Sequence, residues 1–266
     1  MKKNITKLGA KEAEFLSRIS SDSREFSMQT AAEFWGSRSL AKKKLYMLQK
    51  KGWVARIERG KYIVIPFEAG PERKWSEDSY VVASTLVRPG AIAYRSAIRH
   101  WNWTEQIPRI VYVQSTKRKS TPRRVVFGVE YEIVTVSKRK FFGHDRHWRR
   151  GTQFLVTDKE KTLIDCADDV ERSGSIEELA KAVEHGSKEI SWNTLNEYAE
   201  RFPNGAVKKR LGYLVENLVP RLSPEARAIL NHWQRTLTAG VSPLQASGGR
   251  KGIISTRWRL LVNAEL

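Results

Sequence analysis

The chain has 266 residues, 40% of them hydrophobic, nine tryptophans and a net charge of +19. That apolar content excludes a disordered chain, and the length suits two domains, one small and one larger. The charge calls for a polyanionic partner: nucleic acid before an acidic membrane surface or an acidic protein.

From the N-terminus, Thr6 to Ser20 is predicted as a helix with Leu8, Phe15 or Leu16, and Ile19 on its inner side. The stretch SMQTAAEFWGSRSLAKKKLYMLQKKGWVARIERGKYIVIP, Ser27 to Pro66, then reads as helix, turn, helix and a two-stranded hairpin. Ser27 is the expected N-cap, because its hydroxyl can accept a bond from an amide of the first turn. Gly36 stops that helix, since glycine tolerates the left-handed conformation a helix end often needs. The second helix is predicted from about Ser39 to Lys51. Ala41, Leu45 and Leu48 recur at helical spacing as its buried stripe, and Arg38, Lys42, Lys43, Tyr46 and Lys50 share the remaining face. Trp53 to Ile57 and Lys61 to Ile65 form the hairpin, joined by Glu58-Arg59-Gly60. This is the order of a winged helix-turn-helix, whose second helix enters the DNA major groove N-terminal residues first. The expected groove contacts are Ser37, Arg38, Ser39, Lys42, Lys43 and Tyr46, with Arg59 and Lys61 reaching phosphate or minor groove from the wing. The plainer alternative is a protein-binding module with a solvated basic face. Phe26, Trp35, Leu48, Trp53 and Ile63 are expected core neighbours.

Residues 1–66 are thus predicted as a DNA-binding domain, 67–75 as a linker containing Gly-Pro, and 76–266 as a second domain. A helix is expected over Ser76 to Val87, broken by Pro89-Gly90, then an extended piece at Ala91 to Tyr94 and a helix over Arg95 to Trp101. Trp101-Asn102-Trp103 is read as a buried aromatic lid rather than a base-stacking platform. Ile110 to Gln114 alternates as a strand, Ser115 to Arg124 is a basic loop, and Val125 to Val136 forms two strands turning near Gly128. A second basic segment runs over residues 137–150, and Phe154 to Val156 is another strand. Lys117, Arg118, Lys119, Arg123, Arg124, Lys138, Arg139 and Lys140 fall close enough to form one surface, extending the DNA contact or docking a partner.

Thr157 and Glu160 stand at the spacing of a capping box and open a helix with Leu163, Ile164 and Ala167 inward. Ser175 and Glu178 repeat that signal for a helix ending at Gly186. Helices follow over Thr194 to Arg201, Gly205 to Leu218, and from Ser223-Pro224, before an apparent strand from Ile253 to Val262. The fold class is α+β: a winged helix-turn-helix followed by a larger mixed α/β domain. Charge is uneven. Residues 1–70 hold 15 Lys and Arg against 7 Asp and Glu, residues 71–150 hold 17 against 7, and residues 151–266 hold 16 against 15. The polyanion site is therefore expected on the first 150 residues.

Cys166 is the one cysteine, lies in an apolar helical run, and suits a buried thiol in a reducing cytoplasm. No signal peptide or membrane-spanning run is read, and the expected location is cytoplasmic. His144, Asp145 and His147 have metal-like spacing, but Arg146, Arg149 and Arg150 crowd them and a fourth ligand is not evident. No phosphate-binding glycine motif is present, and Asp168-Asp169 reads as a helix-end pair. The expectation is a protein without catalysis, cofactor or metal; a metal-dependent nuclease or nucleotidyltransferase would have to use residues such as Asp158 or Asp165.

Five segments in order, KKGWVARIERGKYIVIP, PGAIAYRSAIRHWNW, FLVTDKEKTLIDCADD, VKKRLGYLVENL and RWRLLVN, resemble the AbiEi-type antitoxins of AbiE toxin–antitoxin systems. RSAIRHWNW departs from that family's more usual Ser-Ala-Leu and His-Gly-Leu form. The resemblance implies a bacterial or archaeal protein that binds inverted repeats of double-stranded DNA in its own promoter and represses its operon. It also implies a C-terminal domain that counteracts a nucleotidyltransferase-like toxin, without requiring a stable complex. The exposed residues expected to serve that role are Lys161, Asp165, Lys208, Lys209 and Arg210, while Leu163, Ile164, Leu211, Tyr213, Leu214, Trp258 and Leu260 read as core. The alternative is a winged-helix regulator whose second domain senses a ligand or oligomerises.

Overall fold

A computed structural model describes residues 8–22, 24–66, 78–149 and 151–266. The predicted helix starts at Thr6 and Ser76, the predicted linker 67–75 and Arg150 lie outside the described residues. The chain is mixed α+β and divides into two compact units, Met1–Leu86 with Trp148–Gln153, and Val87–His147 with Phe154–Leu266.

The first unit contains α1 (Ala10–Asp22), β1 (Glu25–Ser27), α2 (Met28–Trp35), α3 (Arg38–Lys50), β2 (Val54–Glu58), β3 (Lys61–Val64) and α4 (Ser79–Leu86). Phe15 is its aromatic centre: its ring lies 4.2 Å from that of Trp35 and meets Phe26 edge-on at 5.1 Å. Ala41, Leu45 and Leu48 of α3 join Trp53, Val54 and Tyr62 in the same core. The sheet has the order β1-β3-β2 and is antiparallel throughout. β1 is an addition to the predicted hairpin. It pairs Glu25 with Ile63 and Ser27 with Lys61, a strand of three residues made by a distant partner rather than by local propensity.

A six-stranded sheet is built from β4 (Ala91–Ile92), β5 (Ile110–Ser115), β6 (Arg123–Val126), β7 (Val129–Thr135), β8 (His144–Arg149) and β9 (Thr152–Thr157), in the order β6-β7-β5-β4-β9-β8; apart from the Trp148–Gln153 stretch it belongs to the second unit. α5 (Arg95–His100) follows β4. Two expectations need correction here. Arg123 and Arg124 belong to a strand paired with β7, not to the preceding loop. The basic run HDRHWR is an edge strand, which the sequence hid because an edge strand does not need apolar alternation. The turn near Gly128 is where it was expected.

The helices are α6 (Lys159–Asp168), α7 (Val170–Ser173), α8 (Ile176–Gly186), α9 (Trp192–Arg201), α10 (Ala206–Leu218) and α11 (Pro224–Arg235). Ser175 and Ser223 cap as predicted. The cap of α6 is Asp158, which accepts from the Lys161 amide at 2.7 Å, and not Thr157. Thr157 instead bonds its hydroxyl to that of Thr162 at 2.8 Å. Leu163, Ile164 and Ala167 of α6 and Val207, Leu211, Leu214 and Val215 of α10 face one core with Trp103, Trp233 and Trp258. Trp103 is buried, and Trp101 donates its indole N–H to the Thr157 carbonyl at 3.0 Å. The predicted closing strand is two strands, β11 (Ile253–Ser255) and β12 (Leu260–Val262), antiparallel to each other, with β10 (Ser242–Pro243) parallel on the other side of β12. No helix among the described residues is long and apolar enough to cross a membrane.

Candidate nucleic-acid interface

The link from α2 to α3 is two residues, each fixed by its own chemistry. Ser27 caps α2, accepting from the Thr30 amide at 3.0 Å. Gly36 takes φ 78°, a left-handed conformation that turns the chain without a Cβ clash. Ser37 is extended and caps α3, accepting from the Leu40 amide at 3.2 Å. The start of α3 is therefore one residue earlier than predicted, and the Ser37 hydroxyl oxygen already serves the helix. With Ala41, Leu45 and Leu48 buried, α3 exposes Arg38, Ser39, Lys42, Lys43, Tyr46 and Lys50. The Lys50 ammonium sits 4.7 Å from the Tyr46 ring centre. No acidic residue occurs between Glu33 and Glu58 in the sequence, and the positive end of the α3 dipole adds to that field.

Two neighbouring cations are used differently. Lys51 and Lys44 turn toward Glu12 of α1, at 2.9 and 3.5 Å. Burial raises the Glu12 carboxyl, but the Lys51 and Gly9 bonds outweigh it and hold it below the usual carboxylate range. Sequence reading missed Leu40 and Met47, which remain 41% and 44% exposed on α3. Their signal was their place off the 41/45/48 stripe.

At the hairpin, Arg59 is exposed in the turn. Lys61 is less available than expected. Its ammonium lies 2.8 Å from the Glu58 carboxylate and 2.8 Å from the Thr85 carbonyl.

In the second unit, β5 and β7 are parallel neighbours with Ser115 opposite Thr135, and the Val136 amide donates to the Ser115 carbonyl at 2.9 Å. The loops after them leave the same end of the sheet side by side, so Lys117, Arg118, Lys138 and Arg139 come together and are exposed. Lys119 is half-buried. The others are engaged: Lys140 pairs with Asp168 at 2.5 Å, Arg123 with Glu132 at 2.7 Å, and Arg124 donates to the Thr121 carbonyl at 3.0 Å.

The residues expected as an exposed antitoxin surface are not exposed. Lys161 and Asp165 are buried and ion-paired to each other, and Gln114 donates to the second Asp165 oxygen at 3.2 Å. Burial pushes the Asp165 carboxyl up to about 6. Lys209 is buried and donates to the Gly240 carbonyl at 2.8 Å; Arg210 is buried and donates to the carbonyls of Ala167 at 2.7 Å and Pro243 at 3.0 Å. Lys208 is half-buried against Glu200 at 2.6 Å. The physical reason is that α10 packs on α6, α8 and α11, so its polar positions are covered too. Long basic stems cross that packing, and their head groups satisfy carbonyls at helix ends and in the C-terminal segment.

His144 and His147 stand three residues apart on a strand, hence on opposite faces. His147 packs 4.3 Å from the His100 ring and His144 packs 4.4 Å from Phe141. Burial, with Lys161 nearby, lowers His144 to about 4. Among the described residues no three His, Cys, Asp or Glu side chains gather as a metal site. Cys166 is buried in the α6 core, and burial raises its thiol. Asp169 caps α7.

The crystal structure of the Rv2827c protein from Mycobacterium tuberculosis is similar to this chain across 96% of this chain and 92% of that one, with a TM-score of 0.63 and 13% sequence identity. At that identity the likeness is one of fold. No protein-family model and no curated protein matches the chain.

Proposed function

We propose that the chain is a DNA-binding autorepressor and antitoxin, with its first unit a winged helix-turn-helix. The observation that carries the DNA-binding half is α3 itself: a helix held after a two-residue turn, capped, and presenting Arg38, Lys42 and Lys43 on a face without carboxylates. In the major groove Arg38 would read guanine, Lys42 and Lys43 would meet phosphates, and Arg59 would reach the backbone from the hairpin. Lys61, bonded to Glu58 and Thr85, would brace that hairpin. One such unit covers a half-site, so inverted repeats take two copies. The exposed loops with Lys117, Arg118, Lys138 and Arg139 would add phosphate contacts.

The antitoxin half rests on the resemblance of FLVTDKEKTLIDCADD, VKKRLGYLVENL and RWRLLVN to the AbiEi-type family. These segments form α6, α10 and the β12 region. The second reading, a regulator with a ligand-sensing second unit, is favoured by one feature. A cleft of about 390 Å³, lined by Trp192, Leu218, Val219 and Leu222 with Glu184 and Lys188, has the size of a small-molecule site.

The test uses the full chain. Arg38→Ala with Lys42→Ala and Lys43→Ala should abolish repression of the chain's own promoter while leaving rescue of cells expressing the adjacent toxin candidate intact. Loss of neither would refute the DNA reading. Absence of rescue by the unaltered chain, with toxin expression verified, would refute the antitoxin reading.

A further inference from the structure

We infer that Leu40 and Met47 are specificity-determining residues that read thymine methyl groups in the DNA major groove; this rests on the DNA-binding reading above. They are exposed aliphatic side chains on a helix whose other exposed positions are Arg38, Ser39, Lys42, Lys43, Tyr46 and Lys50. Seven residues apart, they lie within about 20° of one another around the helix and roughly 10.5 Å apart along it. That is about three base-pair steps of roughly 3.4 Å. Arg38 and Lys42 occupy the opposite flank, and Ser39, Lys43, Tyr46 and Lys50 the middle. The helix thus has an apolar edge and a basic edge.

Phosphate offers nothing to an apolar side chain. In the major groove the thymine 5-methyl is the apolar feature that distinguishes one base pair from another. The surrounding charge selects this occupant over a protein. A second copy docked on the same face would set Lys42, Lys43 and Lys50 against themselves, and an apolar partner would strand these cations away from water.

The probe is the duplex that the full chain enriches from a randomised library. Each thymine in it is replaced in turn by deoxyuridine, which removes one methyl and leaves the pairing edge unchanged. Loss of a buried methyl should weaken binding about fourfold at two positions roughly three steps apart. Leu40→Ala should abolish sensitivity to one replacement and Met47→Ala to the other, with affinity for random duplex unchanged. Because deoxyuridine alters only the DNA, the first arm does not depend on how the variants fold. Indifference of the unaltered chain to every replacement would overturn the inference. So would variants that lose binding equally on thymine and deoxyuridine probes, or that change sedimentation without changing DNA affinity. If no duplex is enriched, or Arg38→Ala leaves the enriched binding intact, it is the DNA-binding reading that fails.

Discussion

Lys161→Met tests the core of the second unit most directly. Lys161 and Asp165 are one turn apart on α6, both buried, with their head groups paired. The ammonium also lies 5.0 Å from the Phe142 ring and 5.4 Å from the Phe202 ring. Methionine keeps most of the stem's packing, so the main change is electrostatic. Asp165 is left in the core with Gln114 as its remaining hydrogen-bond donor. Removing one partner of a buried pair costs about 3–5 kcal/mol, a large part of the roughly 5–15 kcal/mol that holds a domain folded. Removing both, as Lys161→Met with Asp165→Leu, should return most of that loss. The pH dependence has a definite sign. Burial raises the folded carboxyl to about 6, above its ordinary 3.8, although Lys161 pulls it down. Between those values the folded chain binds more protons than the unfolded one, so this group's contribution to stability rises as pH falls through that window. Without Lys161 the folded value climbs further, so the deficit of Lys161→Met is largest above pH 7 and shrinks on acidification. The assay is urea unfolding followed by tryptophan fluorescence at pH 8 and pH 5. With a slope of about 2 kcal/mol/M, the pH 8 midpoint should fall by about 2 M. A variant within about 1 kcal/mol of the parent at pH 8, or a deficit that grows on acidification, would refute the reasoning.

Replacing Lys117, Arg118, Lys138 and Arg139 by alanine should flatten the slope of log affinity against log salt for DNA by about 3–4, roughly 0.9 per lost phosphate contact, while leaving sequence preference unchanged. Glu12→Gln should destabilise the first unit by about 1–2 kcal/mol in a thermal melt, because it removes the negative charge that pairs with Lys51 and Lys44 and one of the two oxygens that accept from them. Since the Glu12 carboxyl is held low, its contribution is present above about pH 4.5 and disappears as pH falls through the folded value. Gly212→Ala should lower the melting temperature of the second unit by several degrees, because its new methyl would run into the Trp258 ring, which packs directly on the α10 backbone.

What could be read from the sequence was what is decided locally. Ser27, Gly36, Ser175 and Ser223 act within a few residues of themselves, and each was found where its chemistry placed it. The α6 cap was displaced by one because Thr157 and Asp158 are both good caps, and the choice depends on Thr162, whose hydroxyl occupies Thr157. β1 was missed because its three residues are a strand through Lys61 to Ile63. Lys209 and Arg210 were misjudged for a related reason. Helical spacing marks where a side chain leaves the helix, but not whether the polar face is itself covered. Their partners, Gly240 and Pro243, lie about thirty residues onward and carry no charge that a sequence pattern would flag. The reading of Lys61 failed on the Thr85 carbonyl in the same way.

These burials change the surface charge that the two ends of the chain present. Residues 151–266 hold one more basic than acidic residue, yet Lys161, Lys209 and Arg210 are buried, as are Asp165 and Glu178. The solvent-facing charge of that part sums to near neutral, but unevenly: residues 219–266 hold seven exposed basic residues against two acidic ones. Apolar recognition there has the cleft at Trp192 and the exposed Ile253 and Ile254 of edge strand β11 available. The cationic face of α3 and the loops after β5 and β7 should instead show steep salt dependence toward a polyanion. If the chain binds DNA as proposed and meets a toxin through the cleft or β11, moderate salt should weaken the DNA contact without weakening the toxin contact. A toxin contact as salt-sensitive as the DNA contact would mean that basic side chains, not these apolar surfaces, carry it.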